Sequence, residues 1–309
     1  MQLLVTLALF TLLLRSTTWE KAVQMWQQFD AGYLAAAIGF ITISTTMGAI
    51  ALLVLFELKG HPAWWARFTV DYFYVQALCL LTPAQAAEAA LPYIAGRERF
   101  SPGEIAACLL IQRMIALGII VFVAVAGAGR WATPALLWGA AGLVLLACLT
   151  AIAIIRTASV RTRLNEFVTR HFGSILFGFY DTWTSVFRDR QGRLLTHVLL
   201  MICRFFIGVG SIYATLMAFD VTVPFWEMSA LAALATLSVL VPISINGLGV
   251  VEGIFVIGLA DYGYGTEQVL AACLAGRVLS ILTLLVWSAL YFFLRWRDGP
   301  WLLKRRESR

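Results

Sequence analysis

Three arginines stand where arginine is expensive. Arg113, Arg204 and Arg277 each lie well inside an apolar stretch long enough to cross a bilayer, and a charged side chain at that depth costs at least about 3 kcal/mol on insertion scales. Such a group needs a carboxylate, a wet cavity or an anionic ligand beside it. Two carboxylates are spaced to serve: Glu88 precedes Arg113 by 25 residues, and Glu252 precedes Arg277 by the same 25. Each glutamate opens a short helical stretch, where the positive end of the helix dipole favours negative charge. The plain chemistry of such a pair is a salt bridge that braces the chain. The functional chemistry is anion recognition, because guanidinium donors match phosphate oxygens in pairs. On that reading Arg113, Arg277 and Arg204 bind phosphate, while Glu88 and Glu252 hold the arginines and re-pair with them when the site empties.

The segment Val241 to Gly253, VPISINGLGVVEG, adds a second kind of anion site. Pro242 interrupts one helix, Asn246, Gly247 and Gly249 permit unusual backbone angles, and Glu252 opens the next helix. Free backbone N–H groups at that helix start, contributed by Asn246, Gly247 and Gly249, suit an anion. Irregular backbone at membrane depth is tolerated only when buried in protein or lining a cavity; a loop at the membrane surface is the alternative. The counterpart Leu81 to Glu104 carries Pro83, Glu88 and Pro92, then Arg97, Glu98 and Arg99 in a solvated turn.

These residues must be positioned by membrane helices. The chain has 309 residues, 61% hydrophobic and 13% charged, with mean hydropathy +0.84, whereas soluble domains carry about 25% charged residues. A large soluble catalytic domain within these residues is excluded. Apolar blocks near 1–14, 32–56, 105–128, 134–155, 194–219 and 269–294 are candidate spans for a hydrocarbon core that needs about 20 residues. The first has the length of a signal-peptide core but lacks a basic start and a small-residue cleavage site, so a short first span is expected. Three further stretches, 68–82, 228–245 and 250–262, are short or broken and read as half-helices.

A fixed offset of 164 carries Glu88 onto Glu252, Arg113 onto Arg277, and the blocks 32–56, 68–82 and 105–128 onto 196–220, 232–246 and 269–292. Side-chain identity between the copies is thin, so the repeat rests on spacing. If the short stretches form two re-entrant hairpins, about 66–95 and 228–262, both termini lie in the cytoplasm. Seventeen Lys and Arg residues then fall on the cytoplasmic side and only Arg15, Lys21 and Arg130 on the other, as the positive-inside rule requires. The two units are inverted copies under this topology, a common construction of transporters whose site lies near mid-membrane.

The fold expected is therefore all-α: a polytopic membrane helical bundle with two inverted repeats and two re-entrant hairpins. Its divisions are 1–30, a first span and connection; 31–130, repeat one; 131–193, a span and cytoplasmic linker; 194–294, repeat two; and 295–309, a basic tail. Within the linker Phe172, Ile175, Leu176, Phe179, Trp183, Val186 and Phe187 recur at helical steps. That stripe suits either a helix in the headgroup plane or a packed surface helix.

No catalytic constellation is visible. The five cysteines lie apart inside apolar blocks and read as buried free thiols, and His61, His171 and His197 are dispersed. No metal site, cofactor fingerprint or multi-carboxylate cluster of a membrane transferase is found, so the chain is read as a non-enzyme. The excess of 23 Lys and Arg over 17 Asp and Glu reports orientation and contact with anionic headgroups, and no nucleic-acid partner is read from it.

At these residues the chain resembles the flippase-like domain shared with the transmembrane region of lysylphosphatidylglycerol synthases. The resemblance is carried by Pro83 with Glu88, by Arg113, by Pro242 with Gly247, Gly249 and Glu252, and by Arg277. It runs from about the second span to the end. Ala87 stands where the family usually has Gly, Leu91 where an Arg often follows, Gln112 where a Glu often precedes the span Arg, and Asn246 where the first Gly is frequent. The resemblance implies translocation of a polar lipid between leaflets of the inner membrane. The soluble synthase domain has no room in these residues, so the chain is not expected to be the synthase. The lipid is a phospholipid or a polyprenyl- or hopanoid-type molecule; a membrane enzyme and a second copy of the chain are the candidate protein partners. The rival readings are a scaffold subunit docking a lipid-modifying enzyme or glycosyltransferase, and a membrane-embedded transferase.

Overall fold

A computed structural model of the chain describes residues 29–56, 62–80, 101–127, 178–240 and 247–297, with Thr82, Ala87, Glu88, Ala90, Leu91, Ile94 and Gly142. These residues form eight helices of ten or more residues and no strand: α1 Ala31–Leu55, α2 Pro62–Cys79, α3 Pro102–Gly127, α4 Phe179–Arg188, α5 Gln191–Met217, α6 Phe225–Leu240, α7 Val250–Ala260 and α8 Thr266–Arg297. The expected spans 1–14 and 134–155, most of the linker and the tail 298–309 lie outside the described residues.

Four of these helices are long and apolar enough to cross a membrane: Ala31–Leu55, Gly103–Gly127, Gln191–Met217 and Thr266–Leu294. They match four of the six spans read from the sequence. Their starts are written in short polar signals. The Asp30 carboxylate accepts from the Gly32 N–H at 2.7 Å ahead of α1. At α3, Ser101 and Glu104 form a capping box, with Ser101 N–H to Glu104 Oε2 at 2.7 Å and Glu104 N–H to Ser101 Oγ at 3.1 Å. Large apolar side chains such as Phe122, Ile257, Val286 and Phe292 are exposed, as a surface solvated by acyl chains requires.

Helices α6 and α7 have 16 and 11 residues, about 24 and 16 Å long at 1.5 Å per residue, short of a hydrocarbon core of about 30 Å. Helix α2 has 18 residues but carries Arg67 and the buried Asp71, and it begins at Pro62, ahead of the expected hairpin limit near 66.

Adding 164 to the first residue of α3, Pro102, gives the first residue of α8, Thr266. The same offset places α1 and α2 on α5 and α6 to within a few residues at each end. Packing follows this correspondence. The most extensive pair is α1 against α5, two helices in equivalent positions; the next two are α3 against α6 and α2 against α8, which the correspondence exchanges. Asp30 N–H donates to Ala218 O at 3.1 Å, Ser44 Oγ–H to Arg204 O at 3.1 Å, and His197 Nδ1 lies 2.8 Å from Ala51 O. Rising numbers on α1 thus meet falling numbers on α5, so the pair is antiparallel. Each half builds its own core, one around Leu52, Tyr72 and Ile111, the other around Leu216, Met228 and Leu259.

One open choice is narrowed and one expectation is corrected. Where the linker is described, Trp183 and Val186 of α4 are buried in the first core, with Phe179 packed against it. Along the described part of its apolar stripe α4 therefore packs on protein, as a surface helix does, while Phe187 stays exposed; Phe172, Ile175 and Leu176 lie outside the described residues. Cys79 and Cys108 are buried thiols outside any disulfide, but Cys203 is exposed and Cys273 half-buried, because Cys203 lies on a face of α5 that no other described helix covers; Cys148 lies outside the described residues.

Candidate functional site

Both Glu–Arg pairs form. In the first half, Arg113 Nε donates to Glu88 Oε2 at 2.9 Å and its Nη2 lies 2.7 Å from the same oxygen. The other carboxylate oxygen, Oε1, accepts from Gln76 Nε2 at 2.9 Å. Glu88 is carried by a short turn with 3-10 backbone, anchored where the Ala87 N–H donates to Thr82 Oγ1 at 3.1 Å.

In the second half, Arg277 Nε donates to Glu252 Oε1. The Glu252 side chain is only 1% exposed, and its Oε2 accepts the Gly249 N–H at 2.7 Å, so the glutamate caps the helix that carries it. Gly247 and Gly249 have φ of 67° and 86°, the region that side chains avoid. A Cβ on Gly247 would also sit 2.7 Å from Val239 and 2.8 Å from Val251. The glycines are needed to turn the chain sharply between α6 and α7. The expectation of a free anion-binding N–H at Gly249 is corrected here: the carboxylate of Glu252 already occupies that donor. Asn246 lies outside the described residues.

Arg204 is built differently. Its guanidinium rests against Gly48 of α1, where an added Cβ would come within 2.7 Å of Cζ. It also lies over the Tyr72 ring, 6.0 Å from the centroid, an attraction between cation and ring face. Among the described residues no carboxylate reaches it. Arg113 and Arg277 each stand eleven residues into their helices and Arg204 thirteen into α5, so all three lie about 16–20 Å along.

These groups wall two adjoining cavities. The first, about 480 Å³, is lined by Ser44, Gln76, Glu88, Gln112, Arg113 and Arg204 among others. The second, about 640 Å³, is lined by Glu252 and Arg277 with a mostly apolar remainder, including Leu80, Val239, Phe255 and Leu285. Ser211, Ile212, Ala232, Thr236 and Ser280 line both, so the two cavities adjoin along them. The partition hydroxyls donate within their own helices: Ser211 to Gly208 O at 2.7 Å, Thr236 to Ala232 O at 2.7 Å and Ser280 to Gly276 O at 2.8 Å.

Of the residues named from sequence, the structure gathers Arg113, Arg204 and Glu88 around one cavity and Arg277 and Glu252 around the other; Gly247 and Gly249 position Glu252 from behind the cavity wall. Gln76 and Tyr72 were missed, and Gln112 was noted only as a departure from the family pattern. Gln112 is 3% exposed, its Nε2 donates weakly to Tyr72 Oη at 3.4 Å, and its Oε1 has no partner. An amide within an apolar run is the signal by which both glutamines were discoverable.

Carboxylates locked to mid-helix arginines beside mostly apolar hollows can hold and release a charged group while its apolar part stays in the bilayer. No curated protein matches the chain. A family model described as the lysylphosphatidylglycerol synthase TM region matches residues 1–288. With four membrane-crossing helices among its described residues, the chain is a multi-pass membrane protein of the lysylphosphatidylglycerol synthase TM region family, a membership that ties its role to membrane lipid.

Proposed function

We propose that the protein translocates a polar or anionic lipid between the leaflets of the inner membrane, passing the headgroup through the paired cavities while the tails remain in the bilayer. The observation that carries this reading is that each half contributes one intramembrane Glu–Arg pair to its own cavity, and the two cavities share a wall of small and hydroxylated side chains. A headgroup leaving one cavity reaches the other by displacing that wall. The antiparallel crossing of α1 and α5 supports two inverted units, as alternating access from opposite leaflets requires. The short α6 and α7 support a re-entrant hairpin. Both termini then face the cytoplasm, on the count of basic residues.

Arginine suits the task because its fork matches phosphate oxygens, and each glutamate re-pairs with its arginine once the headgroup departs, so no bare cation is left at depth. Nothing in this mechanism makes or breaks a covalent bond, and we read the protein as a transporter rather than an enzyme.

The test is leaflet exchange of a fluorescent phospholipid in proteoliposomes, read by chemical quenching of the outer leaflet. Exchange is expected to exceed that of protein-free liposomes and to fall in Arg277→Ala. Exchange no faster than in empty liposomes would overturn translocation and leave a scaffold role for a partner enzyme; turnover of a labelled lipid donor by the purified chain would make it a transferase.

A further inference from the structure

The two cavities are unequal in charge. Among the described residues, the charged side chains lining the first are Glu88, Arg113 and Arg204, and those lining the second are Glu252 and Arg277. The first therefore carries one uncompensated positive charge, and the second carries none.

The difference can be read position by position. The counterparts, 164 away, of Arg204, Gln76 and Gln112 are Phe40, Leu240 and Gly276. Where Arg204 rests on Gly48, Phe40 lies against Gly210, whose added Cβ would meet the ring at 3.7 Å. The cation and the two amides that stand around the first pair thus have no polar counterpart in sequence around the second, although Ser211, Thr236 and Ser280 line both cavities.

Two groups in the first cavity lack the partners their positions call for. Arg204 has no carboxylate among the described residues, although an unpaired cation at membrane depth is costly. The Gln112 amide is buried with one end unsatisfied; whichever end faces Tyr72, the other is open. Both groups line the same cavity, and both approach Tyr72.

We propose that the first cavity is a binding site for one monoanionic phosphodiester headgroup, with Arg204 as the cation that engages the phosphate and Gln112 as a second polar contact, while the neutral second cavity is a low-affinity station. The inference rests on the lipid-translocation reading and adds the charge class of the substrate and the place where it dwells. One negative charge balances Glu88, Arg113 and Arg204. A zwitterion brings a second cation into an already positive cavity, and a dianion leaves net negative charge at depth. With the site empty, Arg113 holds Glu88 through two contacts to one oxygen, so Arg204 is the cation that meets an arriving headgroup first.

The test is native mass spectrometry of the full chain in detergent, titrated with phosphatidylglycerol, phosphatidylcholine, phosphatidic acid at pH 8, and tail-free glycerophosphoglycerol. Phosphatidylglycerol is expected to bind at least about tenfold tighter than phosphatidylcholine, the size of one charge-assisted hydrogen bond, and no more weakly than phosphatidic acid. Arg204→Gln brings the phosphatidylglycerol-to-phosphatidylcholine ratio to about one, and Arg204→Lys, which keeps the charge without the fork, leaves an intermediate ratio. Equal binding of the two lipids by the wild-type chain, or much tighter binding of phosphatidic acid, overturns the charge assignment even if the variants fail to fold. A ratio unchanged in a folded Arg204→Gln variant removes Arg204 from the site. Glycerophosphoglycerol binding as tightly as phosphatidylglycerol makes the ligand a free diester, not a lipid. Charge-selective binding without leaflet exchange upholds this site and sinks translocation; fast exchange indifferent to headgroup charge does the reverse.

Discussion

Ser44 of α1 and Gly208 of α5 occupy equivalent positions of the two halves, 164 residues apart, and they meet: a Cβ on Gly208 would lie 3.4 Å from Ser44 Oγ. The two helices pass closely here: a single added methyl already reaches van der Waals contact with Ser44, so it is a larger side chain that must move α1. Gly208→Leu is expected to force α1 and α5 apart at the wall of the first cavity. The result is a lower melting temperature together with loss of leaflet exchange, whereas Gly192→Ala, at an exposed site with nothing within 4 Å, leaves both near wild type.

Glu252 joins Arg277 to the Gly249 N–H, so removing its charge strands a cation. Glu252→Gln is expected to cost about 3–5 kcal/mol, the penalty for breaking a buried pair from one side. The double variant Glu252→Gln, Arg277→Gln should lose less than the sum of the single changes. Chemical denaturation of the four proteins in one detergent measures this; additive losses would show that the pair is not coupled.

The turn before α7 makes a conformational prediction. Gly247→Ala meets two valines and a positive φ and should destabilise by about 1–3 kcal/mol. Gly253→Ala, inside α7 with open space around it, should be neutral or stabilise by up to about 1 kcal/mol. Comparison of the two melting curves separates turn strain from generic intolerance of the segment.

Gly48→Ala places a Cβ against the Arg204 guanidinium, the far end of a flexible side chain that can move at little cost. Stability should stay within about 1 kcal/mol of wild type, as for changes that leave the core intact, while selectivity for phosphatidylglycerol over phosphatidylcholine falls. Native mass spectrometry beside a thermal melt reads both.

Ser280 faces both cavities. Ser280→Leu fills the partition with a branched side chain and should slow leaflet exchange by about tenfold, roughly 1.4 kcal/mol of added barrier, while phosphatidylglycerol binding stays within about twofold. Loss of binding and exchange together would mean that the wall is part of the site rather than a gate.

The pairs Glu88–Arg113 and Glu252–Arg277 were legible because both spacing and chemistry announce them: charges at depth need partners, and the same interval occurs twice. The four long helices were legible from apolar length. The inequality of the halves was hidden, because it lies in what stands opposite each pair. Gln76 and Gln112 matter only once α2, α3 and the Glu88 turn converge, and the exchanged pairing of α2 with α8 and α3 with α6 is a tertiary choice that no local pattern states. The stripe on α4 was legible as a stripe, but periodicity is blind to whether protein or lipid covers it. Gly249 misled for a related reason: a helix start advertises open donors, and here the residue three positions on fills one of them.

That Arg204 has Phe40 as its counterpart in the other half has a thermodynamic corollary. Unequal wells along a path alter where a passenger waits and how long, yet by microscopic reversibility they cannot decide which leaflet finally accumulates it. If nothing else drives the cycle, net flow must follow the lipid's own gradient, set by whatever makes it on one side and consumes it on the other.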